Sequence, residues 1–187
     1  HPSRITPFAG HAIVVGITAR QPEVVVLTAM ELARALGAKL YFAYADPGRV
    51  VERELPDGHV RHVDLNPDLS DDENWRRREN ELLAAVGKAL AGQDLDWEFR
   101  YLAGRPDRAL THLARAVDAS VIVVGSGRPG RTGRLRDALS STVGFHLAHH
   151  QHRPVLAVPT EVVDWKTSAR DEADPLRAHR AAFALPD

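Results

Sequence analysis

The chain has 187 residues, of which 44% are hydrophobic and 26% are charged, and its formal net charge is −1. This length and composition fit one soluble globular domain with a sizeable core. The near-zero net charge excludes a global electrostatic attraction to nucleic acid or to a membrane surface. The absence of cysteine excludes disulfides, thiolate metal sites and a cysteine nucleophile, and we expect a cytoplasmic protein.

The first ten residues, HPSRITPFAG, lack the apolar core of a signal peptide and begin without methionine. We interpret residues 1–10 as an N-terminal extension or a tag remnant. Further along, no apolar run approaches the roughly 20 residues that a membrane-spanning helix needs. We therefore expect no membrane association.

Apolar runs rich in β-branched residues alternate with segments of helical periodicity along the chain. The predicted strands are residues 11–17, 39–46, 96–104, 120–125 and 153–159, and the predicted helices are residues 22–36, 70–92, 106–119 and 140–152. Residues 47–72 contain turn motifs such as LPDGH, and we expect this connection to be irregular. The alternation predicts an α/β fold, with an open parallel five-stranded sheet and helices on both faces.

Residues 160–187 differ from the preceding segments because they are polar and contain two prolines but no strand pattern. We expect a mobile C-terminal tail, with one short helix over DPLRAHRAAFAL as the alternative. The sequence therefore divides into the extension, one α/β domain over residues 11–159, and the tail over residues 160–187.

The loop after the fourth strand is unusually rich in glycine and arginine. In open α/β sheets, ligands bind beyond the carboxyl ends of strands, where glycines let backbone N–H groups face a ligand. The next helix begins near Ser140 or Ser141, and its free N–H groups would add to a phosphate site. The alternative is a solvated loop whose arginines give solubility and whose serine caps the helix.

This loop and its flanks resemble the universal stress proteins, whose nucleotide-binding members carry G-x2-G-x9-G-[ST]. Gly127 and Gly130 match the first two glycines, Ser140 replaces the third, and Ser141 supplies the hydroxyl. AIVVGIT resembles the opening strand of the family, and HHQHRPVLAVP resembles its closing helix end and strand. GRPDRALTHLARAVDASVIVVGS resembles the segment that joins its third and fourth strands, and the likeness covers residues 11–159.

The resemblance implies a Rossmann-like, adenine-nucleotide hydrolase-like fold and a stress-response protein that binds ATP, with or without Mg²⁺. Adenine would lie near the ends of the first two strands, where Tyr44 also lies, and the ribose and phosphates would face the glycine loop. The binding residues implied are Ile17, Thr18, Ala45, Gly127, Arg128, Gly130, Arg131, Ser140, Ser141 and Thr142. Thr18 stands where nucleotide-binding members carry aspartate, and Arg105 replaces their Asp or Asn before the proline.

Family members commonly dimerise by pairing the last strand across a two-fold axis. The resemblance therefore implies a homodimer through residues 154–159, which are bounded by Pro154 and Pro159. An edge strand of this kind is free to accept a partner.

No serine–histidine–aspartate set or other activated nucleophile emerges from the sequence. We expect a binding protein rather than an enzyme, with slow ATP hydrolysis as the upper limit of its activity. Two alternatives stay open. One is a dimeric scaffold of the same fold that has lost nucleotide binding, and the other is a nucleotide hydrolase or transferase on a related fold.

Two further clusters have simpler interpretations. His146 and His150 share a helix face at a spacing that metal ligands use, but no H-E-x-x-H motif is present and no metal site is predicted. The basic run RRRE over residues 76–79 is predicted to be a solvated helix face. Trp75 is the only aromatic residue next to it, so we predict no nucleic-acid partner.

Overall fold

The computed structural model describes residues 6–20, 23–65, 72–126, 143–144, 147 and 151–160. Within these residues the strands are β1 (Ile13–Gly16), β2 (Leu40–Asp46), β3 (Arg49–Glu54), β4 (Val60–Asp64), β5 (Trp97–Ala103), β6 (Val121–Ser126) and β7 (Val155–Pro159). The helices are α1 (Glu23–Leu36), α2 (Asp72–Ala89) and α3 (Pro106–Ala116). Val143, Gly144 and Leu147 are also helical, within the predicted helix 140–152.

The five predicted strands form one parallel sheet in the order β5-β2-β1-β6-β7. Their side chains alternate between two apolar layers because successive residues of a strand point to opposite faces. Ile13 and Val15 face α1 and α2, whereas Val14 faces α3 and Leu147. This confirms the predicted α/β fold with helices on both faces of the sheet.

The apolar stripes of the helices explain how they attach. Leu82 and Val86 of α2 are buried, while Leu83 is exposed, so the stripe runs through Leu82. In α3, Leu110, Leu113 and Ala114 are buried, and Pro106 starts the helix, where its fixed φ suits the first turn.

The prediction that residues 47–72 are irregular was wrong. Residues 49–64 form an antiparallel hairpin of β3 and β4, with a register shift between Val51 and Arg53. The LPDGH motif makes the turn: the Gly58 N–H donates to Leu55 O at 3.0 Å and the Leu55 N–H donates to His59 O at 2.8 Å. The hairpin escaped prediction because its inward face carries Arg49 and His62 instead of an apolar alternation.

Among the described residues, no helix is both long and apolar enough to cross a membrane. The predicted tail lies outside the described residues from position 161 onward, as do residues 1–5 of the predicted extension.

Candidate functional site

The carboxyl ends of β1 and β6 lie side by side where the direction of chain progression through the sheet reverses. From β1 the chain passes through α1 to β2 on one side, whereas β7 follows β6 on the other side. α1 packs on one face of the sheet and Leu147 packs on the opposite face. Elements that diverge in this way leave a crevice beyond the strand ends, which is where open α/β sheets bind ligands. We call this region the β1–β6 crevice.

Three residues predicted to contact a ligand lie at this carboxyl edge. Thr18 is exposed just beyond β1. The side chain of Ile17 is buried in the core, and its backbone N–H donates to Ala43 O at 2.9 Å. The side chain of Ala45 is also buried, against the α3 layer. The Ile17 and Ala45 side chains therefore lie in the apolar layers on opposite faces of the sheet, and Thr18 is the exposed residue of the three.

Gly125 and Ser126 also lie at this edge, and the sequence analysis did not include them among the binding residues. Gly16 is in register with Val124, so Gly125 and Ser126 continue β6 alongside the end of β1. Ser126 is exposed and its carbonyl accepts a hydrogen bond from the Thr160 N–H at 3.4 Å.

The remaining predicted binding residues lie outside the described part of the chain. They are Gly127, Arg128, Gly130, Arg131, Ser140, Ser141 and Thr142. The described chain runs into this segment directly from Ser126 and leaves it at Val143, which is already helical. The segment is therefore flanked by Ser126, at the end of β6, and by Val143, which is helical.

A second polar cluster was not predicted and lies at the carboxyl ends of β2 and β5. Asp46 is 7% exposed, and its Oδ2 accepts hydrogen bonds from the Tyr101 hydroxyl at 2.6 Å and from Arg78 at 3.3 Å. Its Oδ1 accepts a third bond from the Gly48 N–H at 2.9 Å. Arg78 is therefore partly buried and paired, which corrects the prediction that the whole RRRE run is a solvated face.

Aromatic rings extend this cluster to the hairpin. The His62 ring packs edge-on against Trp75, with centroids 4.7 Å apart, and lies 5.5 Å from Tyr101. The Arg49 guanidinium sits 5.1 Å from the centre of the Trp75 ring, and its Nε donates to His62 Nδ1 at 2.7 Å. We call Asp46, Tyr101, Arg78, Trp75, His62 and Arg49 the hairpin anchor, because they join β3 and β4 to α2 and to the sheet.

Tyr101 and His62 of the hairpin anchor have shifted pKa values. Burial raises the pKa of Tyr101 well above its usual range, and the hydrogen bond to Asp46 adds to the effect. Burial lowers the pKa of His62, and the neighbouring Arg49 charge lowers it further. Both groups are therefore neutral near pH 7, while the carboxylate of Asp46 is occupied by three donors. Such a carboxylate has little capacity left for a metal or a substrate.

The described polar side chains at the β1–β6 crevice carry hydroxyls instead of carboxylates. Thr18 and Ser126 offer hydroxyls, while Mg²⁺ prefers carboxylate oxygens. Asp46 follows Ala45 but is held by the hairpin anchor. Among the described residues, no group of three histidines, cysteines or carboxylates is arranged to hold a metal ion. We therefore assign no Mg²⁺ ligand among the residues that the structure describes.

The sheet order and the flanking helices define an open α/β protein with a parallel five-stranded sheet. The sequence profile of the universal stress protein family matches residues 11–159, and the chain belongs to that family. No curated protein matches the sequence.

Solved structures extend this likeness over nearly their full lengths. A universal stress protein from Archaeoglobus fulgidus is 22% identical, with a TM-score of 0.56, and the match covers 79% of this chain and 98% of that one. A universal stress protein solved with cAMP is 24% identical, with a TM-score of 0.52, covering 82% and 99%. The A. fulgidus protein solved with dAMP is 21% identical, with a TM-score of 0.53, covering 79% and 97%.

Proposed function

We propose that this universal stress protein is a cytoplasmic stress-response regulator that binds an adenine nucleotide such as ATP in the β1–β6 crevice. The observation that carries the proposal is the position of Ser126. At this residue β6 passes, at the reversal of the sheet, directly into the segment that holds Gly127, Gly130 and their neighbouring arginines.

Each part of the crevice has a defined task in this proposal. The base lies near Ile17 and Ala45, at the carboxyl ends of β1 and β2, and Thr18 faces the ribose. Arg128 and Arg131 supply charge for the phosphates, since bidentate arginine–phosphate bonds are strong. The two similar proteins solved with cAMP and dAMP support an adenylate as the ligand class.

Isothermal titration calorimetry of the purified chain with ATP tests the proposal. Gly130→Asp places bulk and a negative charge in the glycine loop and should abolish binding. Gly92→Asp makes the same change beyond α2, at a glycine with open space around it, and should leave binding intact. Equal ATP affinity in the Gly130→Asp variant would remove the proposal.

The donor set also makes a prediction about the metal. Because Thr18 replaces a carboxylate, ATP affinity should change little when EDTA removes Mg²⁺. Thr18→Asp combined with Ser140→Gly should create a dependence on Mg²⁺ and tighten Mg-ATP binding. A wild-type protein that binds ATP only with Mg²⁺ would contradict this donor assignment.

A chain without measurable nucleotide affinity would favour the alternative function, a scaffold of the same fold. We propose a homodimer through β7 in either case, because β7 is an edge strand whose Leu156 is exposed. Pro154 and Thr160 bond to β6, so the alternating N–H groups of Val155 and Ala157 point outward. Ala157→Pro removes one of them and should give a folded monomer in light scattering, whereas an unchanged dimer would exclude β7 pairing.

A further inference from the structure

A cleft of about 330 Å³ lies between the hairpin and α3, on the sheet face opposite α1. We call it the α3 cleft. Its apolar wall includes Val51, Val60, Leu102 and Ala109. The volume falls at the lower end of the roughly 300–1,000 Å³ that small-molecule sites occupy. None of Ile17, Thr18 or Ser126 lines it, so it is separate from the β1–β6 crevice.

Contacts at two points hold the walls of the α3 cleft together. Gly58 at the hairpin turn is buried against α3, where an added Cβ would lie 2.7 Å from Leu113 Cδ1. Glu54 at the end of β3 pairs with His112 of α3, with 3.1 Å between Oε2 and Nδ1. The cleft is therefore formed before any ligand arrives, which lowers the ordering cost of binding.

The charged side chains of the α3 cleft are mainly basic. Arg105 and Arg108 line it at the start of α3, and Arg105 pairs with Asp107 at 2.8 Å. The side chain of Arg108 is exposed and makes no hydrogen bond or ion pair with any residue that the structure describes. Glu54 is the only carboxylate among the described lining residues, and His112 already holds it. The α3 cleft therefore combines an apolar wall with the charged guanidinium of Arg108.

We propose that the α3 cleft binds a small organic anion with an apolar body, whose charged group pairs with Arg108. Apolar surface against Val51, Val60 and Ala109 supplies the affinity, and the arginine selects a carboxylate, sulfonate or phosphate over a neutral molecule of the same shape. This site is a second ligand site of the chain and does not depend on nucleotide binding.

Fluorescence titration with 1-anilinonaphthalene-8-sulfonate tests the proposal, with N-phenyl-1-naphthylamine as the same ring system without the anion. Arg108→Gln should raise the dissociation constant of the sulfonate about fivefold and leave that of the neutral probe nearly unchanged. Arg115→Gln changes the same residue type on the same helix outside the cleft, and should affect neither probe. Ala109→Trp fills the cleft and should abolish binding of both.

A second variant, at an exposed position, keeps the test informative if Ala109→Trp fails to fold. Val51→Glu alters an exposed lining residue and should weaken the sulfonate selectively by like-charge repulsion. Saturating ATP should not displace the sulfonate from the cleft. The proposal is overturned by equal sulfonate affinity in Arg108→Gln and wild type, by an equal loss in Arg115→Gln, by full displacement with ATP, or by the absence of sulfonate binding.

Discussion

Different interactions stabilise the sheet and the hairpin. Ile13, Phe42 and Ile122 of the sheet are completely buried, whereas Val50, Val51 and Val63 of the hairpin remain 39%, 47% and 44% exposed. The hairpin compensates with polar and aromatic contacts, because Arg49 and His62 point inward and pack against Trp75 of α2. Apolar burial scales with area and has no direction, while polar contacts depend on geometry and protonation.

This difference separates the functions that the two regions can support. The sheet supplies the carboxyl edge at which Thr18 and Ser126 lie and where we propose that a ligand binds. The hairpin forms one wall of the α3 cleft and is secured by fewer, more specific contacts. We expect it to open locally at a lower free energy than the sheet, since stability varies across a structure with buried apolar contact.

The largest effect should come from the sheet core. Phe42 is fully buried and packs edge-on against Trp97, with ring centroids 6.4 Å apart. Phe42→Ala should lower the free energy of unfolding by about 3–5 kcal/mol, because a large cavity remains. Urea denaturation measures this change, and a loss below about 1 kcal/mol would mean that the layer repacks freely.

The hairpin turn should give the next largest effect. Gly58 has φ +83° and packs against Leu113, so Gly58→Ala adds both left-handed strain and a close contact. We expect a loss of about 2 kcal/mol, part of it from the left-handed backbone. Gly92→Ala is the matched control, since Gly92 has φ +74° with open space around it. The control should cost about 1 kcal/mol, and equal losses would show that the Leu113 contact contributes nothing.

Removing one hydroxyl tests the hairpin anchor itself. Tyr101→Phe deletes the 2.6 Å hydrogen bond to the buried Asp46, while the carboxylate keeps Arg78 and Gly48 as donors. We expect a loss of about 1.5 kcal/mol in urea denaturation. Tyr41→Phe is the control, because its hydroxyl donates no hydrogen bond to any described residue, and it should be nearly neutral. Indistinguishable losses would contradict the role assigned to the Tyr101 hydroxyl.

The smallest effect is a pH dependence of hairpin attachment. The pKa of His62 lies below its ordinary value of 6.5 because of burial and of Arg49, with Asp46 acting in the opposite direction. Well above pH 6.5 the His62 ring is neutral in both the folded and the unfolded chain, so its titration does not affect stability there. As the pH falls below 6.5, the unfolded chain takes up the proton first. Hairpin attachment should therefore weaken in acid until the lowered pKa is passed.

Native-state hydrogen exchange measures this effect residue by residue. Between about pH 7.5 and 5.5, the protection of the Leu55 amide should fall relative to that of Ile13, after correction for intrinsic rates. His62→Gln keeps an acceptor for Arg49 without a titration in this range, and it should abolish the difference. A drop of equal size in His62→Gln would assign the acid effect to another group.

The two regions also differ in how far the sequence predicted them. β-branched runs and helical periodicity identified the five parallel strands and the helices, because burial of both sheet faces leaves long apolar segments. The hairpin was missed because its buried face uses Arg49 and His62, which pack against Trp75 of α2 through a tertiary contact. The LPDGH motif was the available indication, since a Pro-Asp-Gly turn suits a hairpin.

The candidate site was predicted in part, for a similar reason. Thr18 and Ala45 were expected at the carboxyl edge and lie there. The pairing of Asp46 with Arg78 and Tyr101 spans 32 and 55 residues of sequence, and no local spacing indicates it. Because Asp46 lies 32 residues before Arg78, their pairing could not be recognised from the sequence, and the run RRRE was predicted to be wholly solvated.

Two-dimensional amide NMR of the whole chain, titrated with ATP, tests the central claim most directly. We predict saturable shifts at Thr18, Gly125 and Ser126 at the β1–β6 crevice, with Val51 and Arg61 of the hairpin unchanged. A spectrum in which ATP moves only the hairpin amides, or moves none at the crevice, would contradict nucleotide binding at the reversal of the sheet.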